Sequence, residues 1–355
     1  MMSAKHAGGP TAAAGSQVRP GVATAVSVSQ WSRSATVTVA ASGVAAAVLI
    51  TLPYVVGTQV TQPLVTLFLL VAMAALWNLL AGYAGMISFG QQAYLGIGAY
   101  AIYLIGRAGV NPFAAIPLAA VASGLAAAGI FLLLRPLTGG YFAVASWVVA
   151  ECLFLYVTTQ GWLGGATGAG LQQLSAMAPL VRQADTYWVA LAVMAVCVAG
   201  VYLLVRSRFG LDSRAVHDEP AAAAAMGVEV QRTRRMAYIL AAAGAGLVGG
   251  VLIISSLYID PGSVFSVNYS ADMLFMVVIG GLGTMEGPII GAVIFFAAQQ
   301  VFAQYGAWYL LGIGALAIGV VLLAPAGLWG SLAGRRGWSL LPVGYRVRPA
   351  GQGAP

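Results

Sequence analysis

Charge is scarce in this chain. Only 7% of its 355 residues are Asp, Glu, Lys or Arg, against roughly 25% in an ordinary soluble domain. So few charges cannot cover the surface of a soluble protein of this size. With 60% of residues hydrophobic, a disordered chain is excluded as well. The net charge of +7 does not point to nucleic acid, because the basic residues are few and scattered.

Particular residue types are rarer still. Lys5 is the only lysine, and Met1-Met2-Ser3-Ala4 precede it. A phosphate-binding loop of the GxxxxGK[ST] kind needs a lysine after its glycine, so the chain does not hydrolyse ATP by that route. The two histidines, His6 and His217, lie in the N-terminal tail and a polar loop. A Ser-His-Asp arrangement among apolar helices has no histidine to use, and a metal site wants clustered ligands. No catalytic, cofactor or metal site is expected, which favours transport over an enzyme. The two cysteines, Cys152 and Cys197, fall inside apolar runs and read as free thiols packed among helices.

What is present is long apolar sequence. No charged residue separates Arg33 from Arg107, or Glu286 from Arg335. At about 20 residues per helical span, the first gap holds three spans and the second two. Barrel strands would show short alternating segments instead. The expected fold is all-α, a polytopic transmembrane bundle of about ten segments. They are placed at 35–56, 63–81, 86–106, 112–134, 141–160, 187–205, 236–257, 270–282, 288–303 and 307–324. Residues 1–34 read as a disordered tail too polar to fold. A permease domain follows at 35–325, with a loose basic C-terminal tail at 326–355.

Arginine placement orients the bundle. With the N-terminus inside, the N-tail, Arg135, the 206–235 loop and the C-tail carry 14 basic residues. The outside keeps two, Arg107 and Arg182. This bias puts both termini in the cytoplasm.

Two segments depart from plain spans. The third opens on Gly82-Tyr83-Ala84-Gly85-Met86-Ile87-Ser88-Phe89-Gly90, and the eighth runs into Gly280-Gly281-Leu282-Gly283. Glycine breaks in both halves either mark a pathway or permit close helix packing. Asn78, Ser88, Gln91 and Gln92 form a polar cluster nearby. They either line a route or tie helices by hydrogen bonds. Glu151 is an acid deep in the fifth segment, where an ionised group costs at least about 3 kcal/mol. It is expected to face the bundle interior, pair with a donor or take up a proton. It serves as a polar point or proton relay on a route, or makes a helix-end or interhelical hydrogen bond.

The 206–235 loop contains Arg214, His217, Asp218, Glu219 and Pro220, then Ala221 to Ala225, Met226 and Gly227. Pro220 suits a first helical position. Asp218 and Glu219 complement the positive helix end. The alanines favour helix, and Gly227 suits a left-handed exit. The pattern predicts a helix of about 7 residues, roughly 10 Å long. Its small-residue face, including Ala221, Ala222 and Ala223, suits docking into a partner's groove. An ordinary connecting loop is the alternative.

Three motifs carry a resemblance. Asn78 to Tyr100 looks like a NLLxGYxGxxSxGxxAFxGIGAY stretch. Arg214 to Val228 is similar to an EAA-type coupling segment, RAxRxxExxAAxxxGV. Gly280 to Ala292 looks like a GGxGxxxGPxxGA signature. Together, over about 60 to 325, the chain resembles the branched-chain amino acid permease subunits of bacterial ABC importers, the LivM type. His217 stands where the family usually has Arg, and Tyr94 replaces a common Phe. The N-tail is also longer than the family's.

The resemblance implies an inner-membrane permease that pairs with a second permease subunit, identical or paralogous. Two ATPase subunits would hold ATP and Mg and grip the coupling segments. An extracytoplasmic binding protein would deliver Leu, Ile or Val. The rival readings are an ion-coupled secondary transporter or channel, and a permease for urea, short amides or sugars.

Overall fold

A computed structural model describes residues 26–29, 43, 47–53, 58–175, 177–302, 307–324, 326–336 and 346–349. Most of the expected first segment, 35–56, lies outside the described residues, though 47–53 are helical. Among the described residues the main helices are α1 Thr58–Asn78, α2 Gln91–Arg107, α3 Pro112–Leu134, α4 Gly139–Thr159, α5 Pro179–Arg206 and α6 Arg208–Asp218. They continue as α7 Pro220–Ala225, α8 Val230–Ser256, α9 Asn268–Gly280, α10 Gly287–Phe302, α11 Ala307–Leu323 and α12 Gly327–Arg336.

Six stretches among the described residues are long and apolar enough to cross a bilayer. They are Thr61–Tyr83, Pro112–Leu134, Gly139–Thr159, Pro179–Arg206, Val230–Ser256 and Pro261–Gly280. The expected count of ten is not reached on that criterion. α2 and α11 have 17 residues and α10 has 16, below the roughly 20 needed for an untilted span.

Local chemistry explains the boundaries that match. α3 starts where the Asn111 side chain accepts from the Phe113 N–H at 3.0 Å, with Pro112 in the first turn. It ends at Arg135, because Pro136 has no N–H to continue the hydrogen-bond ladder. α5 starts at Pro179, well before the expected 187. Its first turns hold Arg182, Asp185 and Thr186, which no hydropathy pattern would include.

α8 is the centre of the bundle and packs on α1, α2, α3 and α5. The span at α1 is 83% buried, whereas that at α4 is only 28% buried. Without water to separate faces, such helices associate through close van der Waals packing of small residues. A Cβ on Gly249 of α8 would lie 2.0 Å from the Leu95 carbonyl oxygen of α2, so only glycine fits. The Tyr94 and Tyr238 hydroxyls hydrogen-bond at 2.9 Å in the same core, and Ser123 Oγ donates to the Tyr94 carbonyl at 3.0 Å.

At the end of the bundle near Thr159, a short ladder pairs Ala169–Gly170 with Tyr258–Ile259. It ties the α4–α5 connection to the α8–α9 connection. Arg107 Nη1 donates to the Trp162 carbonyl at 2.7 Å, and Arg182 Nη1 to that of Leu174 at 3.1 Å. Two tail pieces, Val26–Ser29 and Arg346–Pro349, pair antiparallel.

Candidate functional site

The first glycine-rich stretch breaks the helical path. α1 widens into a π-helical turn, Leu79–Tyr83, and residues 84–90 are not helical. The expected third segment therefore starts late, at Gln91, although Met86, Ile87 and Phe89 are apolar. Gly85 has φ +67°, which ends the turn. Backbone freed at this depth must find partners. The Ser88 carbonyl accepts from Trp77 Nε1 at 2.9 Å. Phe89 N–H donates to Ser146 Oγ at 3.1 Å, and Gly90 N–H to Ser88 Oγ at 3.3 Å.

The second break separates α9 from α10. Gly281 and Gly283 have φ +130° and +72°. Thr284 Oγ1 donates to the Gly281 carbonyl at 2.8 Å and accepts from Gly287 N–H at 3.1 Å, closing the turn. A Cβ on Gly280 would lie 1.8 Å from the Gly287 carbonyl oxygen. The two helices therefore leave the break in backbone contact.

Asn78 joins the breaks. Its Oδ1 accepts from Gly283 N–H at 2.9 Å, and its Nδ2 donates to the Thr284 carbonyl at 2.8 Å. Gly82 faces Gly283 so closely that a Cβ would lie 2.6 Å from the Gly283 nitrogen. Gln92 accepts from Ser270 Oγ of α9. Asn78, Ser88, Gln91 and Gln92 are all buried. As placed, Asn78 and Gln92 tie elements together. Gln91 Nε2 has no hydrogen-bond partner among the described residues.

Glu151 does not join this cluster. It is exposed on α4 and does not face the bundle interior, which corrects the expectation. The buried face of α4 goes to Phe142, Ala143, Ser146, Ala150 and Val157, leaving Glu151 on the other side. The sequence reading also passes over Asp272, half-buried in α9. Its position inside the expected eighth segment was the available signal. Ser146, Ser270 and Thr284 were missed because a lone hydroxyl in an apolar run gives no sequence signal of its partner.

The 206–235 region holds two helices rather than one. α7 spans six residues, opens at Pro220 and exits through Gly227 at φ +90°. Glu219 is its N-cap residue, without a side-chain cap bond. Asp218 belongs instead to the last turn of α6, a correction to its expected capping place. Ala221, Ala222, Ala224, Ala225 and Met226 are exposed. Ala223 is fully buried against its own chain, so it is not part of an outward docking face.

α6 reaches the first break. The Arg214 guanidinium lies 5.3 Å from the Tyr83 ring centroid. A Cβ on Gly85 would lie 3.3 Å from His217 Cα. Residues in the polar loop thus touch the π-helical turn, and Asn78 carries that contact on to the second break.

The profile of the family described as "branched-chain amino acid transport system / permease component" matches residues 60–324. The chain is 26% identical over 266 residues to a probable branched-chain amino acid transport permease protein LivH of Methanocaldococcus jannaschii, covering 68% of this chain and 82% of that one. It is 26% identical over 281 residues to the high-affinity branched-chain amino acid transport system permease protein LivM of Salmonella typhimurium, covering 71% and 65%. A shorter likeness, 34% over 140 residues, reaches an autoinducer 2 import system permease protein, LsrC, of Klebsiella pneumoniae, covering 37% and 40%. No solved structure matches the chain.

Proposed function

The chain belongs to the family of branched-chain amino acid transport permease components, and we propose that it is the membrane subunit of an ATP-driven importer for Leu, Ile or Val. It is a multi-pass membrane protein. In this reading both termini and α6–α7 are cytoplasmic, following the arginine bias. ATP and Mg sit on two separate ATPase subunits, a second permease chain completes the path, and a binding protein delivers substrate from outside.

One observation supports this reading most. The exposed α7 surface continues through α6, where Arg214 and His217 lie against Tyr83 and Gly85 of the broken segment. An ATPase holding α7 would move a rigid element seated on that break. Such a push can shift the equilibrium between two arrangements of the break, provided the ATPase's nucleotide states favour α7 positions differently.

The test is uptake into proteoliposomes containing this chain, its co-purifying permease and ATPase subunits, and the binding protein. Labelled Leu, Ile and Val should enter only with ATP inside the compartment holding the ATPases. Uptake driven by an ion gradient without ATP would overturn the reading. The likeness to an autoinducer 2 permease supports a second substrate class, a polar solute that is not an amino acid. ATP-driven uptake of such a solute, with none of Leu, Ile or Val, would select it.

A further inference from the structure

Three membrane-length stretches begin or end at one corner of the bundle. The stretch at α3 ends at Leu134, that at α4 begins at Gly139 and that at α8 begins at Val230. Gln231 Nε2 of α8 donates to the Arg135 carbonyl at 3.4 Å, which joins α8 to the α3–α4 corner. A small cavity of about 20 Å³ lies here, lined by Arg135, Thr138, Arg234 and, from the first break, Gly85. Arg135 is exposed and Arg234 half-buried. No acid lines the cavity, and neither arginine forms an ion pair among the described residues. Arg234 Nε is buried and has no hydrogen-bond partner among them.

A buried guanidinium N–H without an acceptor costs free energy, and two guanidinium groups around one cavity repel each other. An anion relieves both costs. The space holds about one water-sized group. It therefore takes a single oxygen of a larger anion, whose remainder stays outside beside Arg135. Phosphate suits this, because its oxygens accept from guanidinium forks. The position selects the source of the phosphate. Basic pockets between spans at the membrane surface suit lipid headgroups. Leu134 and Leu137 of the cavity also line an open apolar groove of about 830 Å³, which extends along α4 to Val148 and Val149. A dissolved phosphate gains nothing from that groove, whereas an acyl chain joined to the phosphate does.

We propose that this corner binds an anionic phospholipid, with its phosphate between Arg135 and Arg234 and an acyl chain in the groove. The inference goes beyond the importer reading and holds whichever solute is moved. The site also borders the first break. Gly85 lines the cavity, and a Cβ on Gly85 would lie 3.3 Å from His217 Cα of α6.

The test titrates the full chain, purified in neutral detergent, with phosphatidylglycerol and with phosphatidylcholine of the same acyl chains, read by native mass spectrometry. Phosphatidylglycerol should bind at least about tenfold tighter. Arg135→Gln and Arg234→Gln should each weaken it at least about tenfold, through loss of a charge-assisted hydrogen bond. Arg235 is exposed on the same helix and does not line the cavity. Arg235→Gln removes the same charge and should cost no more than about fivefold. Equal losses from all three variants would reduce the attraction to diffuse charge and overturn the site. Phosphatidylcholine binding as tightly as phosphatidylglycerol would overturn it too, leaving only apolar association. Inorganic phosphate and water-soluble glycerophosphoglycerol separate the sources. Displacement of the lipid by either at millimolar concentration would assign the cavity to a soluble anion and overturn the lipid assignment. If Arg234→Gln fails to accumulate, Arg135→Gln on the exposed corner carries the test with a second readout. A phosphatidylglycerol bearing a diazirine on its acyl chain should label residues 133–149 of the wild type, and several-fold less of Arg135→Gln. Labelling confined to other parts of the chain would overturn the proposal.

Discussion

Asn78 holds Gly283 across 205 residues of sequence, accepting its N–H at 2.9 Å. The same amide donates to the Thr284 carbonyl at 2.8 Å. One side chain therefore satisfies two backbone groups of the second break from the end of α1. The two glycine-rich stretches are one structure.

Asn78→Ala should destabilise the protein. It leaves the Gly283 N–H and Thr284 carbonyl without their partner, at about 1–3 kcal/mol for each unsatisfied group. Thermal unfolding of the detergent-purified protein should show a lower midpoint than wild type. An unchanged midpoint would mean that the clamp contributes nothing.

Gly82→Ala should be worse tolerated than its chemistry suggests. The added Cβ would lie 2.2 Å from Asn78 Oδ1 and 2.6 Å from the Gly283 nitrogen, so the breaks must separate. Gly129→Ala on α3 meets nothing within 4 Å and serves as control. It should be neutral or stabilise by up to about 1 kcal/mol through helix propensity. Membrane abundance and unfolding midpoint report both. Equal behaviour of the two variants would refute the close approach.

Arg214→Ala should loosen the drive without unfolding the bundle. The guanidinium–ring contact with Tyr83 is worth about 0.5–2 kcal/mol, and it joins α6 to the π-helical turn. ATPase subunits should still co-purify, because α7 is untouched. Solute moved per ATP hydrolysed should fall several-fold, in line with a lost contact of that size. A wild-type ratio would place the transmission elsewhere.

Two neighbouring alanines should separate docking from folding. Ala222 is exposed and Ala223 is fully buried. Ala222→Asp should insert normally yet lose ATPase co-purification, since it puts a charge on the outward face of α7. Ala223→Asp should instead lower membrane abundance, because its carboxylate enters a packed site without a partner. Full retention of the ATPases by Ala222→Asp would remove α7 from the docking surface.

Much of this was legible locally. α7 was bounded by Pro220 and Gly227, because caps and breakers act within a turn or two of themselves. α6 was not legible. Arg208–Asp218 has no apolar run, and it is held against α5, α8 and the π-helical turn by packing. The start of α2 was missed for a related reason. Residues 86–90 look like span, and what pulls them out of helix are Trp77, Ser146 and three glycines whose contacts lie across the bundle.

Composition alone dictated a membrane bundle, since so few charges leave no other way to solvate the chain. The motifs named its family, because their glycines and prolines mark backbone needs that persist whatever surrounds them. Which residues meet was a matter of packing. Helices apolar on every side carry no hydrophobic stripe to announce their inner face, so neighbours are chosen by small-residue fit and by paired polar groups. That is why Asn78 turned inward to Gly283, Ala223 was buried against its own chain, and Glu151 came to lie on an outer face.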